Sequence, residues 1–234
     1  MPAAVAFVCA MPMELAPLVR SLSLTKQTVG TVEGAVGRIG ARPVVAVVTG
    51  MGTALAAAGV EALLAARDID RVVVVGITGA VGDELPVGAL VRPERVVDGA
   101  SGAAFRPDPL GPGPLSGTLW TSDSLITDAA TLARLRGDGV VALDMETAAV
   151  AAVCRRHAVP WSVFRAISDR ATDGSVDEEV FKLSNMDGSP NNEAIERFFA
   201  EHPERVEAMA RLAEGAVLAT EAAADAALRA CALV

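Results

Sequence analysis

Trp161-Ser162-Val163-Phe164-Arg165-Ala166-Ile167-Ser168-Asp169 is the stretch on which the reading of this chain turns. Trp161 to Ile167 is short, largely apolar and rich in strand formers, which predicts a buried strand. Asp169 stands where that strand should finish. Open α/β sheets bind their ligands beyond the carboxyl ends of their strands. A carboxyl group buried there costs desolvation unless something uses it.

Working outward, the same pattern recurs. Val5 to Cys9, Ala35 to Gly40, Pro43 to Thr49, Arg71 to Val75, Leu90 to Val97, Leu119 to Thr121 and Val140 to Leu143 read as strands. Met13 to Leu22, Ala54 to Arg67 (with Thr53 as cap), Asp128 to Arg136 and Met145 to His157 read as helices. Gly76 to Gly82 and Gly99 to Gly117 are expected to be loops. Strands alternating with helices predict a three-layer, doubly wound, mostly parallel sheet. No composition break divides the 234 residues, so a single domain is expected over 1–234. The polar stretch 169–192 is read as an irregular insertion, and Pro203 to Leu233 as a long C-terminal helix.

Composition narrows the function classes. Apolar residues make up 52% of the chain, enough for a large core, and the net charge of −9 speaks against a nucleic-acid surface. No apolar run is long enough to span a membrane. The first residues lack a basic region ahead of their apolar stretch, so the cytoplasm is the expected location. Three scattered cysteines do not make a disulfide framework, and two distant histidines do not make a His-based metal site. Tyrosine is absent, so any wall against a flat ligand must be mostly aliphatic or Met.

Asp169 joins Asp144-Met145-Glu146 and Glu14 in a set of acids suited to breaking an N-ribosidic bond. Such a reaction needs a proton for the leaving base, a grip on the ribose and a nucleophile on the opposite face; carboxyls serve if their environments separate their pKa values. Each acid also has a plainer reading. Asp169 could cap the acidic loop after it. Glu146 could complement a helix dipole. Glu14 could be a solvated first-turn acid, and Met145 a core residue. Gly50-Met51-Gly52 and Gly76 to Gly82 could wrap ribose or phosphate, but neither forms a dinucleotide fingerprint or a P-loop.

Four segments in order give the chain a resemblance to the nucleoside phosphorylase superfamily, and within it to the 5′-methylthioadenosine/S-adenosylhomocysteine nucleosidases. They are Cys9-Ala10-Met11-Pro12-Met13-Glu14, Thr49-Gly50-Met51-Gly52, Asp144 to Val150, and Arg165 to Asp169. The resemblance covers roughly residues 4 to 172. It implies the nucleoside phosphorylase-like fold, with Asp169 as the acid that protonates purine N7 and Ser168 orienting it. It further implies that Met145 and Glu146 bind the ribose and that Glu14 activates the attacking water. Ser124, Leu125 and Ile126 fall where the family holds the base, with Leu125 in place of a stacking Phe. Met11, Gly79 and Thr78 fall at the substrate site, and Phe105 matches a residue that reaches the partner's site in a homodimer. The implied reaction needs no cofactor, and its partner is a small nucleoside.

Phosphorylases of the superfamily carry a Gly-Asp-Pro near the N-terminus and arginines for phosphate. Here the N-terminal stretch is Ala10-Met11-Pro12-Met13, and Ile77 takes a likely Ser position. A dianion without an Arg partner is poorly bound, so water is the expected nucleophile and a 5′-modified adenosine the expected substrate. A phosphorylase using Arg92, Arg95 or Arg106, a hydrolase of a futalosine-like nucleoside, and a non-catalytic nucleoside-binding protein remain the alternatives.

Overall fold

The structure, a computed structural model, describes residues 3–233. In chain order its strands are β1 (Ala4–Cys9), β2 (Thr25–Lys26), β3 (Glu33–Ile39), β4 (Arg42–Val48), β5 (Ile69–Ala80), β6 (Leu90–Val91), β7 (Arg95–Asp98), β8 (Ala104–Phe105), β9 (Thr118–Thr121), β10 (Val140–Asp144) and β11 (Trp161–Arg170). Its helices are α1 (Pro12–Leu22), α2 (Thr53–Ala66), α3 (Ala129–Gly137), α4 (Thr147–Arg156), α5 (Glu178–Phe181), α6 (Asn192–Glu201) and α7 (Val206–Ala232).

All strands join one mixed sheet, and β5 is its hub. Along one edge of β5, β11 runs parallel from Trp161 opposite Val72 to Arg170 opposite Ala80. On the other edge β1 runs parallel only as far as Val8 opposite Val74. That edge is then taken over by β10, which arrives antiparallel and pairs Leu143 with Gly79 and Ala142 with Ala80. Neither strand pairs with β5 between Val74 and Gly79, so the sheet splits there. The carboxyl ends of β1 and β10 point into the split from opposite directions. Parallel β4 flanks β1, and parallel β9 and β7 continue from β10.

Apolar runs are continuous in the central strands because both sheet faces are covered. In β1, Val5, Phe7 and Cys9 pack with Leu18 of α1 and with Ala219, Ala223 and Ala227 of α7. Ala4, Ala6 and Val8 pack on the opposite face, with Val60 and Leu63 of α2 and Val150 and Cys154 of α4. The expected three-layer, single-domain α/β architecture is what forms.

Several boundaries differ from the sequence reading. Gly76 to Gly82, expected to be a loop, is strand up to Ala80; its glycines make room for side chains rather than for a turn. The expected strand Leu90 to Val97 is two strands, because Pro93 cannot donate to a ladder and β6 and β7 pair with different neighbours. The helix expected from Met145 begins at Thr147, and Thr53 is the first helical residue of α2 with Gly52 in the cap position. The 169–192 stretch is not irregular throughout: β11 continues to Arg170, and α5 is capped by Asp177, which accepts from Glu179 and Val180 N–H. Helix α6, which buries Ala194 and Phe198 and is capped by Asn191, was not read from the sequence.

Helix α7 approaches the sheet closely because its inner face is built of alanines and Gly215. A Cβ on Gly215 would come 2.6 Å from the backbone oxygen of Ser168. Gly215→Ala gains about 1 kcal/mol in helix propensity and loses up to about 3 kcal/mol to overpacking against a backbone that cannot swing away. The expected balance is a loss of about 1 kcal/mol, seen as a thermal midpoint lowered by roughly 2–4 °C in a chain of this size. An unchanged or raised midpoint would show that α7 is not seated this tightly.

Candidate functional site

A cavity of about 310 Å³ opens at the split in the sheet. Eleven of the twelve expected site residues line it. Met11 comes from the β1–α1 turn, Glu14 from the first turn of α1, Thr78 and Gly79 from β5, and Ser124, Leu125 and Ile126 from the β9–α3 loop; Met145 and Glu146 come from the β10–α4 turn, Ser168 and Asp169 from β11. The exception is Phe105, which is buried on β8 beneath the guanidinium of Arg155, 4.7 Å from its ring centre, outside this cavity.

Arg165 organises the inner wall. It is 2% exposed and Glu14 is 1% exposed, so neither is a solvated surface group. Arg165 Nη1 reaches Glu14 Oε1 at 3.3 Å; Nη2 reaches Asp144 Oδ2 at 2.8 Å and Glu146 Oε2 at 3.0 Å. Backbone amides complete the carboxylates. Glu14 accepts from Ala10 and Met11 N–H on one oxygen and from Ile77 N–H, on the edge of β5 left open between β1 and β10, on the other. Glu146 accepts from Gly52 N–H at 3.0 Å. Asp144 accepts from the Thr121 hydroxyl at 2.6 Å and from Thr147 N–H at 3.0 Å. Gly76 sits opposite Arg165 on β5, and a Cβ there would lie 2.0 Å from Glu14 Oε1 and 2.6 Å from Arg165 Nη1. Any side chain at position 76 would occupy the place of the ion pair.

Three buried carboxylates facing one guanidinium leave excess negative charge, and burial disfavours it. Burial raises the Glu146 pKa to about 7, opposed by Arg165 and reinforced by Asp144. Burial also raises that of Glu14, against the pull of Arg165 and the amides. Burial alone would lower the pKa of Arg165, but Asp144, Glu14 and Glu146 outweigh it and keep the guanidinium charged.

The opposite wall is set by a bulge. The register between β11 and β5 shifts at Ser168, which re-aims Asp169. The Ser168 hydroxyl donates to Asp169 Oδ1. Asp169 lies beside Gly79, where a Cβ would stand 3.2 Å from Asp169 Oδ2, so glycine gives the carboxyl room. Burial raises the Asp169 pKa, opposed by the Ser168 hydroxyl and helped by Asp173. The Thr78 hydroxyl is already engaged, donating to Leu143 O at 2.6 Å.

Sequence reasoning assigned Arg165 no role. The signal was present: it is the one charged residue in the expected strand Trp161 to Ile167, and a buried charge needs partners. Val180 and Phe181 of α5 and Leu212 and Ala216 of α7 also line the cavity. They carried no signal, because they reach the site only through the path of the chain after β11.

A family model for the phosphorylase superfamily matches residues 4–116 and 110–201. Over 207 residues the chain is 29% identical to a 5′-methylthioadenosine/S-adenosylhomocysteine nucleosidase of Shewanella piezotolerans, spanning 74% of this chain and 90% of that protein. It is 33% identical over 158 residues to a nucleosidase of the same name from Chromohalobacter salexigens, spanning 55% and 67%. Among solved structures it superposes on the Neisseria meningitidis nucleosidase in complex with methylthio-immucillin-A with a TM-score of 0.76, at 18% identity and 99% coverage of both chains. The futalosine hydrolase of Helicobacter pylori gives 0.75 at 14% identity, covering 99% of this chain and 98% of that one. At these identities the structural likenesses speak for the fold.

The raised pKa of Glu146 has a direct consequence for stability. The folded chain holds this proton up to about pH 7, whereas an unfolded chain releases it near 4.5. The stability gained from protonation is therefore complete below the unfolded value and lost as pH rises through the folded one. Glu146→Gln removes that loss. The stability of the variant relative to the wild type, measured by denaturant unfolding, is expected to increase from about pH 5 to about pH 8. A difference independent of pH would overturn the assignment.

Proposed function

The chain belongs to the phosphorylase superfamily, and on that premise we propose that it is a purine-nucleoside N-ribohydrolase. Its substrate in this reading is a 5′-modified adenosine of the methylthioadenosine or S-adenosylhomocysteine type, the class that names its relatives. Asp169, whose pKa burial raises, donates its proton to purine N7, and Ser168 orients it. Glu146 accepts the ribose hydroxyls as positive charge develops on the sugar, and Met145 packs against the ring. Glu14, its pKa raised by burial, takes a proton from the attacking water. Ser124, Leu125 and Ile126 hold the base, Leu125 supplying an aliphatic wall. Met11, Gly79 and Thr78 shape the rest of the substrate cavity.

The observation that carries hydrolysis over phosphorolysis is the commitment of Arg165. Four acids and this single arginine are the charged residues lining the cavity. Both of its terminal nitrogens are engaged by Glu14, Asp144 and Glu146. Arg92 is also occupied, donating to the carbonyls of Leu110, Pro112 and Gly113. A phosphate dianion would meet a wall of excess negative charge, while water and a neutral nucleoside would not.

Incubation with a panel of nucleosides, with and without phosphate, is expected to release free base and free sugar at a rate independent of phosphate. Sugar phosphate formed only when phosphate is added would reverse the assignment. Asp169→Asn is expected to lower turnover by ~100-fold or more, the usual scale for a general acid. A near wild-type rate in that variant would sink the mechanism.

The same proposal places the enzyme in the cytoplasm as a homodimer. Among the described residues no helix is long and apolar enough to cross a membrane. The homodimer is carried over from the family; Phe105 lies outside the cavity and is buried beneath Arg155 in its own chain. The mass in solution, measured by light scattering, is expected to be that of two chains; a monomer with full activity would remove this part of the reading.

A further inference from the structure

Three consecutive amides leading into α2 each donate to a different segment of the chain. Met51 N–H donates to the Met186 carbonyl at 2.8 Å, in the segment after α5. Gly52 N–H donates to Glu146 Oε1 at 3.0 Å, and Thr53 N–H to Asp123 Oδ1 at 2.7 Å. The Thr53 hydroxyl adds a second bond to Asp123, reaching Oδ2 at 2.6 Å.

Helix α2 has no side-chain cap of its own, because its cap position is Gly52. Gly52 has φ +95°, a conformation that favours glycine, and it has no side chain with which to fix its own orientation. Asp123, 70 positions along the chain, accepts from the first helical amide, one of the donors that a helix start leaves without an intrahelical partner. It lies beside Ser124, Leu125 and Ile126 in the same loop. Asp123 is exposed and is not among the residues bonded to Glu146, so any effect on that carboxylate passes through the backbone of Gly52.

We propose that Asp123 is a positioning residue for Glu146: by clamping Thr53 it aims the Gly52 amide at the Glu146 carboxylate and ties the base loop to the ribose site. This rests on the reading of Glu146 as the ribose ligand. The charged groups facing Glu146 are Arg165, Asp144 and Glu14, and the Gly52 amide adds a hydrogen bond that favours its ionised form. Loss of the clamp loosens that amide while leaving the three charges in place.

The test compares Asp123→Ala and Asp123→Asn in the full chain, with Glu146→Gln as reference, by kcat, KM and pH–rate profile. Asn keeps an oxygen for the Thr53 amide and an NH2 for the Thr53 hydroxyl; Ala keeps neither. Asp123→Ala is expected to lose roughly tenfold in kcat/KM, mostly through KM, the scale of a lost helix cap. Its acidic limb, where Glu146 ionises, is expected to move to higher pH. Asp123→Asn is expected to restore KM to within about threefold of wild type and return the limb to its place. Thr53→Val, which removes only the hydroxyl donor, is expected to shift KM in the same direction by less. An Asp123→Ala enzyme with wild-type KM and an unmoved limb overturns the proposal, even if its thermal midpoint falls. Glu146→Gln with undiminished turnover would instead overturn the ribose reading, which separates the two failures.

Discussion

The guanidinium of Arg165 is shared by carboxylates that arrive from separate parts of the chain: Glu14 from α1, Asp144 from the end of β10 and Glu146 from the turn before α4. Removing Arg165 would leave three buried carboxylates without a counter-charge, at a cost of roughly 3–5 kcal/mol. The cluster therefore works as a clasp at the split in the sheet. Burial, reinforced by the neighbouring acids, raises the Glu146 pKa to about 7, a condition for acid–base chemistry at the same spot.

The split exists because β5 is longer than either strand sharing its second edge. β1 leaves after Val8, and β10 enters only at Gly79. The exposed backbone between them would be an unpaired edge inside the protein, and buried backbone donors need partners. Glu14 supplies one by accepting the Ile77 amide. The gap in the ladder, the depth of the cavity and the placement of a candidate base are thus one structural feature. Gly76 is its steric condition, since a Cβ there would collide with both members of the ion pair.

Much of this was legible in the sequence. The central strands could be found because they are apolar on both faces, and the acids stood out because carboxyls at strand ends are costly. The motif-level resemblance named eleven residues that do line one cavity. Most of the missed features share a cause. Glycines in β5 look like loop residues until the neighbours that need their space are known. Helix α5 has only 4 residues, too short for a periodic signal, whereas α6 carried a readable apolar face in Ala194, Ile195, Phe198 and Phe199 that was passed over between the polar stretch and the C-terminal helix. Phe105, which the resemblance placed at a partner's site, is buried on β8 outside the cavity, and local pattern gave no sign of that burial.

By itself the sequence determined the layer architecture, the order of the elements and which side chains had to be used if buried. These follow from local pattern and from the cost of desolvating charge. Only the tertiary structure decided that Arg165 is committed to three acids, that β5 runs through its glycines, and that the α2 amides reach Glu146 and Asp123. Those outcomes depend on contacts between residues tens to more than a hundred positions apart, and chain spacing carries no measure of such distances.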